Sequence, residues 1–254
     1  MTSNRLRGKV LKKLDKNNYL IDYVISNIIN SKHFDASNTI LASPTNKIND
    51  ELCNYVKKKY NLNIYRGSEE NVFERVHDCS KLANFEANVR YTADNPFVDP
   101  LLINQFVDFF LENNVDYLST RTMNHTKKWK LASEYPEGLS IEIYKSKLLN
   151  EIAKYTNKKN MDYPTWNLYS GPKKYCLKGF ELIKSYKKKK LDGLRVTVDT
   201  QKDLHFIRVL IKKFGLKPGR NNFLKILNLR SKIKFNLFNY NQQSKIAYKV
   251  ISMR

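Results

Sequence analysis

Short β-branched runs alternate with longer amphipathic segments along most of this chain, and no other feature limits its fold as strongly. Residues 19–29 (YLIDYVISNII) carry apolar side chains at helical spacing, and residues 39–43 (TILAS) read as a short buried strand. A helix is expected over 48–60, a strand over 61–65, a helix over 69–82 and a third strand over 87–92 (ANVRYT). A strongly apolar helix over 100–111 (PLLINQFVDFFL) then leads to a strand over 115–119. This succession predicts an α/β fold with a mostly parallel sheet covered on both faces. The middle is less regular. Residues 121–135 read as a loop excursion, 139–144 (LSIEIY) as an exposed-face strand and 145–155 as a helix. Residues 157–190 mix Pro, Gly and Lys, and are expected to form an arm outside the main sheet. A strand over 194–198 (LRVTV) and a helix over 201–214 restore the rhythm. The chain thus divides into a body, 1–215, whose 121–190 excursion carries the arm, and a basic helical tail, 216–254.

Several classes are excluded. No apolar run reaches the length of a membrane span. The opening residues have no apolar core of a secretory signal, which makes the cytoplasm the expected compartment. Cys53, Cys79 and Cys176 are scattered and show no metal-binding or disulfide spacing. His33, His77, His125 and His205 fall in no catalytic spacing. The formal charge of +22 raises the question of nucleic acid. Yet the lysines are spread along the chain, apart from Lys187–Lys190, and an abundance of Lys, Asn, Ile and Tyr together is what A/T-rich coding produces. No nucleic-acid motif is present, so nucleic acid is not the expected partner. A basic field also draws in a nucleoside triphosphate.

In an open α/β sheet, ligands bind beyond the carboxyl ends of the strands. Two expected strands run there into an aspartate, Asp94 in ANVRYTAD and Asp199 in LRVTVD. Paired carboxylates at neighbouring strand ends suit a hard divalent cation such as Mg²⁺, with phosphate oxygens completing its shell. The same residues also suit local roles, Asp94 opening an Asp-Asn-Pro turn and Asp199 capping the next helix.

Five stretches add chemistry. Ser3-Asn4-Arg5-Leu6-Arg7-Gly8-Lys9 offers a glycine for close backbone approach and cations for phosphates. Arg66-Gly67-Ser68-Glu69-Glu70-Asn71-Val72 lies at a strand-to-helix turn, where Ser68 also suits an N-cap. The third stretch runs from Val89-Arg90-Tyr91-Thr92-Ala93-Asp94 through Asp99-Pro100. The last two are Tyr135-Pro136-Glu137-Gly138-Leu139-Ser140-Ile141-Glu142 and Arg195-Val196-Thr197-Val198-Asp199-Thr200. Taken in order over roughly residues 2–214, these stretches resemble the cytidylyltransferases that activate acidic sugars. They resemble in particular the branch called spore-coat polysaccharide biosynthesis protein F and, more distantly, CMP-Kdo and CMP-sialic acid synthetases.

The resemblance implies a Rossmann-like, GT-A-like nucleotidyltransferase of three layers, with CTP and an acidic sugar as substrates and Mg²⁺ as cofactor. It implies Arg5, Lys9, Asp94 and Asp199 as catalytic residues, the two aspartates holding the metal. Ser3, Arg5, Lys9, Arg66, Ser68, Arg90, Thr92 and Asp94 would bind the nucleotide. Gly138, Glu142 and Thr165 would lie on the sugar side, with Glu142 available to a sugar hydroxyl. A homodimer is implied as well. Three departures stand out: Arg7 replaces a proline, Ala93 replaces a glycine, and 162–167 (DYPTWN) lacks the family's histidine. Relatives also begin with a hydrophobic strand ahead of the position of Met1. Without it, neighbouring strands are expected to have unpaired edges and the chain to turn over poorly. A mis-assigned start or truncation, a degenerate relative, and a substitute strand from 245–252 are the three readings of that difference. Other bases or ordinary sugar phosphates on the same fold, and a non-catalytic basic binding protein, are the alternatives in function.

Overall fold

In the computed structural model, the residues described are 5–123, 129–131, 136–154, 165, 168, 176–179, 195–222 and 225–226. The expected helices form where the sequence supplies their ends. After a 3-10 turn at Lys9–Leu11, helix α1 (Leu20–Ile29) starts where the Asp22 carboxylate reaches back to the Tyr19 amide at 2.7 Å. Strand β1 (Ile40–Pro44), helix α2 (Asp50–Tyr60) and strand β2 (Asn63–Gly67) follow. Helix α3 (Val72–Ala83) is capped by Asn71, whose side chain accepts from the Glu74 amide at 3.0 Å. Ser68, the expected cap, sits one step back and accepts from the Asn71 amide at 3.0 Å.

After strand β3 (Ala87–Arg90), helix α4 (Pro100–Glu112) opens with Asp99 as cap and Pro100 at its first position. The rest of the order is β4 (Tyr117–Ser119), β5 (Arg121–Met123), β6 (Trp129–Leu131), β7 (Glu142–Lys145), α5 (Ser146–Ala153), β8 (Leu177–Gly179) and α6 (Gln201–Phe214). Helix α6 has a full capping box, Thr200 with Asp203, and ends at Gly215 with φ 58°.

Among the described residues the strands form three sheets: β1 parallel to β2, the order β3-β7-β4-β8, and the hairpin β5-β6. In the four-stranded sheet β3, β4 and β8 share one direction and β7 runs against them. Adjacent residues show that this sheet is covered on both faces. Leu118 and Ile143 join the main core with α1, α4 and α6, while Tyr117 and Tyr144 join a second cluster with α5 and Phe73 of α3. That is a three-layer α/β/α arrangement.

Four sequence readings change. The excursion at 121–135 contains the β5-β6 hairpin, whose strands of three residues are too short to leave a pattern. The 139–144 segment is not an exposed-face strand: β7 lies between β3 and β4, and Ile143 and Tyr144 are each 1% exposed. The arm at 157–190 contributes β8 to the main sheet, and most of its other residues lie outside those described. The 194–198 strand reduces to one parallel bridge, Arg195 with Glu137, followed by an extended run. The tail beyond residue 226 lies outside the described residues. No described helix is long and apolar enough to cross a membrane.

Candidate active site

Gly8, at φ 65°, turns the chain into the short 3-10 turn, and buried Val10 anchors that turn to the core. The anchoring sets the Lys9 backbone beside both aspartates. Its ammonium donates to Asp94 Oδ2 at 2.8 Å and to Asp199 Oδ1 at 2.9 Å. The two aspartate segments are also stitched together by backbone. The Asp94 carbonyl accepts from the Val198 amide at 2.9 Å and from the Thr197 hydroxyl at 3.3 Å. The Val196 amide donates to the Glu137 carbonyl at 2.7 Å, which adds the 136–139 segment. Gly138 makes this third approach feasible. A methyl there would lie 2.6 Å from the Thr197 nitrogen, and φ is +103°.

Neither aspartate is consumed by a local role. Thr200, not Asp199, caps α6. The turn at 92–95 is made by Thr92 and Asn95, through Asn95 N–H to the Thr92 carbonyl at 3.2 Å and Asn95 Nδ2 to the Thr92 hydroxyl at 2.7 Å. Both carboxylates are therefore left to face cations. Asp199 has three: Lys9, Arg5 at 3.1 Å and Arg195. Burial pushes the Asp199 carboxyl up, but the Lys9 hydrogen bond and charge, with the charges of Arg195 and Arg5, outweigh it and hold the group below its usual range. Arg195 is itself braced by Glu137 at 3.2 Å and Asp203 at 2.8 Å, so it is a fixed support. Arg5 is two-thirds exposed and can move.

The other expected residues lie apart from this cluster. Arg66 points onto the loop after β1, pairing with Asp50 at 2.8 Å and donating to the Pro44 and Asn46 carbonyls. Arg90, the last residue of β3, pairs with Glu142 across the ladder at 3.2 Å. Glu142 is 8% exposed, and its other oxygen accepts from Tyr117 OH at 3.2 Å and the Thr165 hydroxyl at 2.9 Å. In this arrangement Glu142 and Thr165 serve Arg90 and each other, where the sequence reading offered Glu142 to a sugar hydroxyl. Ser3 lies outside the described residues. Sequence reasoning passed over Arg195, although it stands four residues before Asp199 in the same motif. It also passed over Tyr117, which no local signal distinguishes.

A family model described as Cytidylyltransferase matches residues 1–136. The chain is 31% identical over 222 residues to an uncharacterised protein of Methanocaldococcus jannaschii, covering 84% of this chain and 81% of that one. It is 27% identical to the spore coat polysaccharide biosynthesis protein SpsF of Bacillus subtilis, with 86% and 85% covered. A cytidylyltransferase from Leptospira borgpetersenii superposes with a TM-score of 0.75 at 20% identity, covering 98% of this chain and 95% of that one. A CMP:2-keto-3-deoxy-manno-octonic acid synthetase solved with CTP gives 0.58 at 12% identity, with 83% and 94% covered. A Mycobacterium tuberculosis protein solved with manganese gives 0.52 at 11% identity, with 81% and 93% covered. With the family model spanning more than half its length and a relative matching most of it, this chain belongs to the cytidylyltransferase family.

Proposed function

We propose that the protein transfers CMP from CTP to the anomeric hydroxyl of an acidic sugar, releasing pyrophosphate, in the service of surface polysaccharide synthesis. The observation that carries this reading is the meeting of Asp94 and Asp199 on one ammonium, at 2.8 and 2.9 Å. Carboxylate oxygens that share one cation at such distances suit a small hard ion, and Mg²⁺ asks for no more than one or two carboxylates when phosphate is present. No described group of three or more potential ligands competes for that assignment. When bound, Mg²⁺ neutralises phosphate charge and acidifies an attacking hydroxyl.

The chain's own residues do the rest. Lys9 and Arg5 have flexible stems and can follow the triphosphate, stabilising charge on the departing pyrophosphate. Arg195 holds Asp199 in orientation through its bonds to Glu137 and Asp203. The stitched backbones of 94, 137 and 196–198 keep the two carboxylates at fixed separation, so positioning supplies much of the rate. The likeness to SpsF supports the polysaccharide setting, and the CTP-bound synthetase supports the nucleotide. The reading includes a homodimer acting in the cytoplasm.

The test is pyrophosphate release with Mg²⁺, each nucleoside triphosphate being paired with Kdo, sialic, pseudaminic and legionaminic acids. Release with CTP and one of these acids is the expected result. A folded protein that releases none with any pair would refute the proposal, and release with another base or a neutral sugar would redirect it.

A further inference from the structure

The acidic residues of the chain stop well before its end. All 24 lie at or before Asp203, and residues 204–254 hold twelve Lys and Arg with no Asp or Glu. A/T-rich coding raises lysine, but it does not remove aspartate and glutamate, whose codons it also permits. The described part of this acid-free stretch packs against the turn at 15–18. Arg208 Nε of α6 donates to the Lys13 carbonyl at 2.8 Å. The Tyr23 hydroxyl lies between Asp15 Oδ2, at 2.7 Å, and the Leu216 carbonyl, at 3.3 Å, so the turn is tied to the chain just past α6. Further along, Lys225 Nζ returns to the Gly215 carbonyl at 3.4 Å.

These contacts gather charge of one sign. Lys16, Lys217 and Arg220 line a cleft of about 510 Å³ between the 15–18 turn and the loop after α6. Lys212 stands one turn beyond Arg208 on the face of α6 that meets this turn. Lys16, Lys212, Lys217, Arg220 and Lys225 are all exposed, and among the described residues none of them has an ion pair. The acid in the cleft, Asp15, is committed to its own turn. Its Oδ1 accepts from the Asn17 and Asn18 amides, each at 2.8 Å, and its Oδ2 from Tyr23. The catalytic cluster differs, since Lys9, Arg5 and Arg195 each face an aspartate there. A helix C-terminus attracts a cation or two, which accounts for Lys212 and Lys225 but not for the cleft. Like charges held together without counter-charge repel one another, and an anionic partner removes that repulsion.

We propose that this basic face docks the protein peripherally on an anionic lipid bilayer, with headgroup phosphates entering the cleft. The sequence that follows favours a bilayer over nucleic acid. Residues 223–238 (FLKILNLRSKIKFNLF) set nine Phe, Leu and Ile among four Lys and Arg. Binding to a phosphate backbone has no use for so many large apolar side chains. A bilayer interface takes both kinds, cations at its headgroups and apolar groups at its acyl boundary. Docking there also keeps its distance from the chemistry. Helix α6 begins at Thr200, next to Asp199, and its 14 residues carry the chain about 20 Å away before the cleft is reached. The proposal goes beyond nucleotidyl transfer, because it concerns where the protein sits and holds for any acceptor sugar.

The experiment uses the full chain and two double variants, Lys217→Glu with Arg220→Glu and Lys217→Gln with Arg220→Gln. Each is floated with vesicles of phosphatidylcholine alone and of phosphatidylcholine with about 30% phosphatidylglycerol, at low and at high salt. The unaltered protein is expected to float with the anionic vesicles at low salt and with the neutral ones at neither salt. Partitioning should fall at least about tenfold in the glutamate pair and by less in the glutamine pair, with unchanged melting midpoints. Should the glutamate pair unfold, the glutamine pair decides. Equal flotation with both vesicle types, flotation with neither, or full flotation of the folded variants would overturn the proposal. Polyuridylate binding at a salt where anionic vesicles no longer bind would assign the face to nucleic acid, and overturn it too. So would a glutamine pair whose lost flotation comes with a lowered midpoint, since the two cations would then be structural. Flotation is read without substrate, so its failure leaves the transfer reading standing, and absence of turnover leaves the docking result standing.

Discussion

Asp22 and Asp199 are both carboxylates drawn out of water and ringed by donors, yet one braces two helices and the other belongs to the proposed active site. Asp22 is fully buried and takes hydrogen bonds from Tyr55 OH at 2.8 Å, Tyr60 OH at 2.7 Å and the Tyr19 amide, with Lys59 at 3.0 Å. Those partners come from α1 and α2, and most are neutral groups fixed by packing. Asp199 is held by cations alone, the exposed Arg5, the long-stemmed Lys9 and the braced Arg195. Saturation with hydrogen bonds therefore does not separate a structural carboxylate from a functional one. What separates them is whether the partners can be drawn away by something from solution.

Substitutions at the two sites should divide cleanly if this contrast holds. Asp94→Asn is expected to reduce kcat by about a thousandfold, the scale of losing a preorganised electrostatic group, with little change in melting midpoint. Near-normal turnover would erase the distinction. Asp22→Ala should do the opposite. Removing one partner of a buried charged network costs about 3 kcal/mol, a drop of roughly 10 °C in midpoint, while turnover per folded molecule persists. Lys9→Met sharpens the contrast from the cation's side. Without the ammonium between the carboxylates, Mn²⁺ titrated into nucleotide-free protein should bind about tenfold more tightly than to the unaltered chain, a gap that vanishes when CTP is present. Equal affinities would mean that Lys9 does not occupy the cation's place.

The smallest effect is in acid. The carboxyl of Asp199 is held below its unfolded value, so its contribution to stability is present above the unfolded value near pH 4 and is lost as pH falls through the folded one. Asp199→Asn should accordingly lower stability at neutral pH, flatten the acid limb of a denaturation profile and converge on the unaltered protein at the acid end. An unchanged acid limb would count against the ion-pair cluster.

Much of the fold could be read from the chain because each helix carries its own end signals. The 201–214 helix expected from the sequence keeps its limits in α6, although Thr200 with Asp203 caps it where the sequence reading offered Asp199. The 100–111 helix was announced by Asp99-Pro100 and runs one residue further. Strand 139–144 was misjudged because apolar alternation with Ser140, Glu142 and Tyr144 reads as a wet face. Burial of Glu142 depends on Arg90, Tyr117 and Thr165, none of them near in sequence. The pairing of Asp94 with Asp199 came from strand-end logic and resemblance together. The seat of Arg75 over Gly67, with its guanidinium donating to the Ser68 carbonyl, had no signal in the chain.

The separation of β1-β2 from β3-β7-β4-β8 has a mechanical consequence. Among the described residues, β1 bonds only β2 and β3 bonds only β7. Three buried hydroxyls without hydrogen-bond partners flank these strands, Thr39 and Ser43 at β1 and Tyr91 after β3. Helix α3 touches β1, β2 and α5, and so ties the two sheets together through side chains. An articulation of this kind transmits force through packing, which is compliant, and not through a continuous ladder, which is stiff. Amide protons along the outer edges of β1 and β3 should consequently exchange with solvent sooner than those of β4 and β7. The Arg66–Ser68 turn, carried on β2, can then rock relative to Asp94 as one small lever.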